Sequence, residues 1–598
     1  MRTPITTSLI LLTLCLVHAW ADAPAPPPRE QLRDSVAVRW EEGAELTRWL
    51  ASARWDHIAA ARMRTALKAD WTTALSRGLS TDGRLRHDVR WSGAVARALN
   101  SSWSLWGGAT GQHYVDRPRA TTTVAQENRS HLLRLGAGPA VRWSDELRSA
   151  HSLGMVADSR VERTESGLAT WHTGEYALNS APEVRHRFEA LLDYESPGAR
   201  SGSAAELQYA LNQEYEAARN SADVSFNWTR RDVLTAINAP SQLREETALR
   251  IADAIEYELG TGAALRGHGD VRYFDTKLDD RRGNNSRLEE LESGIESEFE
   301  LRRRRSSATL SLAVRGVSQN VRGEILTGRK TVLAADGRTK VHTFDVRLHS
   351  AFSKYTLDTR SDENFDDRDE LAWRFDGGLS APVNRALKIQ IQALADLNHL
   401  VYIFSSNSAN NRWTRLFLLT TRFVHTPDRN ILHAPEFRIS ANYQAYDFEL
   451  NPRQVRSTVF RRITLGDSVA VRAERWVFAL RAEVAREELG RLYWDDFAEE
   501  RSDRTDVLNA AFISTREFSP GANISAGAVY GVRRGDRFEF GGAPLRVQDI
   551  VSWGPLARVN WNSAEWFFTG GMQWVLQSEL GRADRDFLSG TITAGRTW

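Results

Sequence analysis

The chain has 598 residues, and its 78 lysines and arginines against 77 aspartates and glutamates leave a net charge of +1, which gives no electrostatic case for nucleic acid or another polyanion as partner. Hydrophobic residues make up 41% and the mean hydropathy is −0.45, and no run approaches the ~20 apolar residues of a membrane-crossing helix, so helical spans are excluded. Cys15 is the single cysteine, which excludes disulfides and thiolate metal sites from the rest of the chain.

In chain order, Arg2, the apolar run 9–17 and the small-x-small triplet Ala19-Trp20-Ala21 define a signal peptide over 1–21, with the mature chain starting at Asp22. Cys15 lies inside it. A lipid-anchor reading of that cysteine is opposed by Leu14, which stands where a small residue should precede it. Residues 22–63 form a separate leader. Pro24, Pro26, Pro27 and Pro28 favour an extended tether, and Leu46, Trp49, Leu50 and Ala53 have helical spacing between 45 and 62. A first irregular strand is the alternative to that short helix.

From residue 64 the apolar period is two. Leu67, Ala69, Trp71, Thr73 and Leu75 alternate with Lys68, Asp70 and Thr72, and Val184, His186, Phe188, Ala190, Leu192 and Tyr194 alternate with Arg185, Arg187, Glu189 and Asp193. The pattern returns late in the chain at Leu387, Ile389, Ile391 and Ala393, and at Phe437, Ile439, Ala441 and Tyr443. Each strand therefore has one oily and one ionic face. Short turns are expected at 100–102, 144–146, 179–182, 220–222, 260–262, 380–384, 519–521 and 562–564, all rich in turn-forming residues. Longer polar stretches lie between them at 116–130, 159–167, 231–245, 275–287, 319–339 and 487–504. The expected fold is all-β: a large closed antiparallel transmembrane β-barrel over 64–598, with about 26 strands (range about 22–26) after a short N-terminal segment. Pro139 and Pro555 fall inside expected strands and suggest a bulge or a strand end there. No turn is visible at 352–358, and 459–485 fits two strands or three.

A soluble sandwich or propeller also alternates, but its oily faces must meet each other and its turns need not alternate in length. No blade-length repeat is visible. In a membrane barrel the oily face meets lipid and the ionic face meets a wet lumen. The 20 tryptophans support the membrane reading, with Trp91, Trp103, Trp143, Trp373, Trp413, Trp566 and Trp574 as candidates for interfacial girdles.

In the last strand Leu588, Gly590, Ile592, Ala594 and Trp598 share one parity, and the sequence ends on the aromatic. This resembles the C-terminal assembly signal of Gram-negative outer-membrane β-barrel proteins. Arg596 departs from the pattern, which favours an apolar residue there. The resemblance implies recognition by the barrel-assembly machinery, export through the signal peptide to the cell outer membrane, and a setting of outer-membrane lipid and lipopolysaccharide. On that reading 22–63 is a periplasmic leader and the long loops face outward. Asp34-Ser35-Val36-Ala37-Val38 resembles the short box of TonB-dependent receptors, but a large plug has no room between it and the first expected strand.

No His-Glu-x-x-His, phosphate loop, Gly-x-Ser-x-Gly or histidine cluster at metal spacing is present, so neither an enzyme nor a cofactor is expected. The run 362–369 places oxygens as a calcium loop begins, but it lacks the glycine, and Trp373 occupies the final carboxylate position; a solvated loop fits better. Arg302 to Arg305 read as a charge cluster at a strand edge, with a grip on anionic lipid or polymer as the alternative. The function expected is a pore or export channel for solutes or polymers, with a periplasmic export partner as a further candidate. A surface structural or adhesive barrel, and TonB-dependent-like uptake without a full plug, are the alternatives.

Overall fold

The computed structural model describes residues 33–597 apart from 43–45, 61–62, 77–83, 119–127, 161–162, 198–200, 234–241, 281–284, 322–323, 360–366, 450–454, 494–497, 540–542 and 564. The expected signal peptide, the proline run and Trp598 lie outside the described residues. Within them the chain is almost entirely strand. The first quarter holds β1 (Arg33–Glu42), β2 (Leu46–Ala60), β3 (Met63–Ser76), β4 (Arg84–Ala98), β5 (Trp103–Pro118), β6 (Asn128–Arg142) and β7 (Leu147–Arg160). Then come β8 (Arg163–Ala181), β9 (Val184–Pro197), β10 (Gly202–Glu214), β11 (Ala218–Val233), β12 (Gln242–Gly260), β13 (Ala263–Asp280), β14 (Asn285–Arg303) and β15 (Ser306–Val321). Next are β16 (Glu324–Val341), β17 (Phe344–Thr359), β18 (Arg368–Pro382), β19 (Leu387–Tyr402), β20 (Arg412–His425), β21 (Ile431–His433) and β22 (Glu436–Tyr446). The chain closes with β23 (Thr458–Ala473), β24 (Trp476–Tyr493), β25 (Ala498–Ser519), β26 (Ala522–Arg537), β27 (Leu545–Asn562), β28 (Trp566–Glu579) and β29 (Arg585–Thr597).

Each strand pairs antiparallel with the next, and β1 pairs with β29 from Arg33↔Thr597 to Trp40↔Gly590, which closes the sheet into a ring. The short β21 and β22 both pair with β20 and β23 and are separated by Ala434 and Pro435, so they form one stave. The ring therefore has 28 staves from 29 strands. This exceeds the 26 expected because the barrel starts earlier. Residues 46–60 form β2, not a helix, and β1 lies before it, so the barrel wall begins at Arg33 rather than at 64. Trp49, Ala51, Ala53 and Trp55 alternate there as well, and the same apolar residues fit either period.

A path that steps from each residue to its direct partner on the next strand returns to β1 about 30 residues further along. For 28 staves that stagger sets the strand tilt at about 37°, and a circular ring of them is about 50 Å across from backbone to backbone.

Connections at the near rim, where β1 begins and β29 ends, are 2–5 residues long, and those at the far rim run from 2 to 11. The short turns expected at 100–102, 144–146, 260–262 and 519–521 are present, while 220–222 lies inside β11 and the turn falls at 215–217. Several expected long loops are strand instead: 319–339 is the body of a β15–β16 hairpin joined by residues 322–323. The strands project further toward the far rim than oily periodicity alone reveals. Residues 352–358 sit within β17, and 459–485 holds two strands.

Pro139 and Pro555 sit in strands without shifting register. Each keeps its pairing with the preceding strand, while the ladder to the following strand skips it. Each follows a glycine, Gly138 or Gly554, whose added Cβ would run into the carbonyl oxygen of His151 or of Trp574. Proline removes a ladder donor and glycine lets the neighbouring backbone close in, so the site stays paired without a bulge.

Candidate functional site: the lumen wall

The parity of each strand decides what the ring presents. Glu189, Gln208, Glu206, Arg142, Arg148 and Lys68, from strands between β3 and β10, line one continuous concavity, as residues on the inner surface of a ring do. The charged parity therefore faces the lumen, and the oily parity faces out.

On the outer face, large apolar side chains stand exposed between two aromatic belts. Trp553 and Trp561 share the outer face of β27, and Trp566 and Trp574 that of β28, each pair eight residues apart and each side chain at least 44% exposed. At the tilt found, eight residues span about 21 Å along the barrel axis, close to the ~25 Å apolar band of a transmembrane barrel. Trp103, Trp143, Tyr176, Tyr257 and Trp476 belong to the belt at the near rim, and Tyr194, Tyr273 and Trp373 to the far belt. Trp91 also reaches the far belt and lies across Gly111, which has no side chain to obstruct the indole. Trp413 stands beyond the far belt, stacked on His399 with ring centroids 4.2 Å apart.

On the inner face, β14 carries Glu290, Glu292, Glu296, Glu298 and Glu300 in one row, alternating with outward Leu291, Ile295, Phe299 and Leu301. Arg266 on β13 is the hub of the lower part. Its guanidinium reaches Glu256 at 2.9 Å, Glu298 at 2.6 Å and Glu300 at 2.8 Å. Arg302 also holds Glu300 through Nη2 at 2.9 Å. Further up, Gln319 donates to Glu290 at 2.9 Å and Arg272 lies 3.8 Å from Glu292. Glu256, Arg266, His268, Glu296 and Glu298, with Arg219 and Glu214, line a cavity of 750 Å³ in the wall. The carboxylates outnumber their cations, so this sector is acidic.

Elsewhere the inner face mixes its charges. Arg90 holds Asp88 on β4, Arg134 meets Glu195, and on β20 to β26 Arg462 pairs with Glu483 and Glu487, Arg472 with Glu517 and Arg533 with Glu487, beside Arg412 and Arg422. The carboxylate row of β14 thus stands out in a wall of otherwise mixed charge. Among the described residues no group of three or more His, Cys, Asp or Glu is arranged to hold a metal ion.

The row on β14 was legible as glutamates of one parity interrupted only by Gly294, yet sequence reasoning passed over it because its ends merge into the polar stretches 275–287 and 302–305. The expected calcium-loop residues divide: Asp367 accepts from Thr359 N at 2.8 Å and Thr359 Oγ1 at 2.7 Å, Asp369 pairs with Lys354 at 3.1 Å, and 362–366 lie outside the described residues. Arg302 and Arg303 end β14, and Arg304 and Arg305 form the β14–β15 turn at the near rim. Leu588, Gly590, Ile592 and Ala594 lie together on the outer face of β29, the closing strand, with Leu588 and Ile592 exposed. Asp34 to Val38 sit within β1, all paired to β29 and, from Ser35 on, also to β2.

No protein-family model and no curated protein matches the chain. Among solved structures it is similar to the FrpB iron transporter from Neisseria meningitidis, at 9% identity and a TM-score of 0.38 over 72% of this chain and 79% of that one. It is also similar to the siderophore receptor PirA from Pseudomonas aeruginosa, at 9% and 0.35 over 92% and 87%. A third is BauA, the ferric preacinetobactin receptor from Acinetobacter baumannii, at 9% and 0.37 over 96% and 80%. Superpositions at this level leave the chain's own geometry to carry the functional reading. That geometry defines a closed antiparallel barrel with an ionic lumen and an apolar, aromatic-belted exterior.

Proposed function

We propose that this chain is a transmembrane barrel of the Gram-negative outer membrane, without a catalytic site, that passes solutes or polymers through its lumen, passively or with a periplasmic export partner. The observation that carries the reading is the pairing of an apolar outer band, bounded by two aromatic belts about 21 Å apart, with an ionic inner wall. A soluble protein gains nothing from an exterior of this kind, whereas lipid requires it and also requires the backbone pairing that ring closure supplies. The short-turn rim, where β1 begins and β29 ends, faces the periplasm, and the far rim faces outward. Lipopolysaccharide and lipid surround the belts, and the barrel-assembly machinery reads β29.

All described residues belong to the wall or its connections, so a bore of this width favours passage over a filled, purely structural barrel. Energised uptake of the TonB-dependent kind would have to release Asp34 to Val38 from two ladders. The test is purified protein in lipid vesicles loaded with neutral sugars and polymers of graded size. Size-limited efflux without an energy source supports the channel. Vesicles that hold folded barrel but retain small sugars contradict it and favour a surface role.

A further inference from the structure

The lipid-facing band contains few ionisable groups. Among the described residues of its outer face they are Asp253 on β12, the pair His151 and His172 on β7 and β8, and Asp467 on β23, which His433 satisfies at 3.0 Å. Asp253 is exposed and has no hydrogen bond or ion pair among the described residues. Its direct partner is Gly269, with Gly267 beside it, so no neighbouring side chain shields its carboxylate. His151 and His172 are direct partners with their Nδ1 atoms 3.0 Å apart, and His151 Nε2 lies 3.2 Å from Ser149 Oγ; Nε2 of exposed His172 has no partner among the described residues. A carboxylate in contact with hydrocarbon is costly and marks a place where something other than lipid tails sits.

We propose that three copies of this chain pack side by side in the membrane, Asp253 of each docking against the His151–His172 pair of the next. This rests on the lipid-facing reading of the outer band. Three observations select a second copy as the occupant. The groups are complementary, a carboxylate and imidazoles. They lie at matching depth, since Asp253 is four residues above Tyr257 of the lower belt and His172 four above Tyr176, and copies related by an axis along the membrane normal meet only at equal depth. Their angular spacing also fits. From midway between β7 and β8 to β12 is four and a half staves, about 58° on an even ring of 28. The two neighbours of a cylinder in a ring of three lie 60° apart, and in a ring of four 90° apart.

The apolar surroundings agree with this placement. Leu153, Met155 and Leu168, beside the histidines, are 64%, 60% and 61% exposed, and Ile295, directly opposite Gly269, is 70% exposed. These knobs protrude on the two proposed contact lines, and Gly267, Gly269 and Gly174 provide the recesses beside them. Small residues at the contact with a polar pair as glue is the arrangement that holds membrane segments together where no hydrophobic drive exists.

The full chain carrying Asp253→Cys and His172→Cys together, oxidised in the membrane and run without reductant, tests this. Bands of one, two and three chains that stop at three, absent from either single variant, are expected. In addition, Asp253→Leu lowers the trimer population of the otherwise native chain in nanodiscs at least tenfold. Cross-linking no greater than in the single variants, a ladder ending at two or running past three, or an Asp253→Leu chain that stays trimeric would overturn the proposal. Membrane fractionation and heat-shifted gel mobility are read on the same samples. A chain that inserts and stays monomeric sinks only the trimer, whereas a chain that never enters the membrane sinks the lipid-facing reading beneath it.

Discussion

An arginine moved along one face of β15 tests parity and depth together. Ala308, Leu310, Leu312, Val314 and Ser318 share the outer face, with Leu310 and Leu312 exposed at 53% and 48%, and Leu312 lies at the centre of the apolar stretch. An arginine facing the bilayer midplane costs about 2–4 kcal/mol, and near an interface about 0–1. Leu312→Arg should therefore shift the folding equilibrium by roughly 30- to 1,000-fold, at about 1.4 kcal/mol per tenfold, while Ala308→Arg and Ser318→Arg stay near the parent chain. Ala313→Arg is the control. It points into the lumen opposite Glu296, where a new cation has water and a carboxylate, so its effect should stay within about 0.5 kcal/mol. Urea titrations in lipid vesicles, read by tryptophan fluorescence and by the mobility of unheated samples on gels, give the midpoints. A cost that is flat along the outer face, or larger at Ala313 than at Leu312, would refute the inside-out assignment.

Three further outcomes follow from the wall. Replacing Glu296, Glu298 and Glu300 together by glutamine removes negative charge from the acidic arc, so the reversal potential under a salt gradient should move toward anions, most clearly at low salt, where the Debye length is longest. Arg266→Gln should move it the opposite way, because the carboxylates of Glu256, Glu298 and Glu300 lose their shared cation; being part-exposed, these pairs contribute little to stability. No shift in either variant, or a shift of the same sign in both, would contradict the lumenal placement of β14. Gly554→Ala should lower the yield of folded barrel, since the new Cβ meets the backbone carbonyl of Trp574, whereas Gly174→Ala, with open space around it, should fold like the parent; equal yields would count against the close approach at Pro555.

The barrel and its alternating faces were legible because a closed sheet with one apolar and one ionic face writes its period into every strand. Phe188, Leu192 and Tyr194 stand out against Arg187, Glu189 and Asp193, and the structure places the two sets on opposite faces. What misled were places where polarity has another cause. Residues 319–339 look like a loop because the alternation fades there: Arg329 and Thr331 share the outer face with Leu333 and Ala335, while Val332 and Ala334 share the inner face with Lys330 and Asp336. Asn220 and Ser221 carry turn chemistry but serve as wall residues, Ser221 against the wet lumen, whereas the actual turn at 215–217 has no turn-favouring residue. The second strand was obscured by an ambiguous pattern, since Leu46, Trp49, Leu50 and Ala53 fit a helical period as well as Trp49, Ala51, Ala53 and Trp55 fit a period of two. The docking points at Asp253 and His172 were not legible in sequence at all, because their meaning depends on depth and on angular spacing around a closed ring.

The central claim is a water-filled bore across a membrane, and single-channel recording in planar bilayers tests it most directly. Purified, folded protein should insert with large, steady, ohmic steps whose size falls when polymers small enough to enter the lumen are added. Folded, heat-modifiable protein that inserts and yet stays electrically silent would contradict the account.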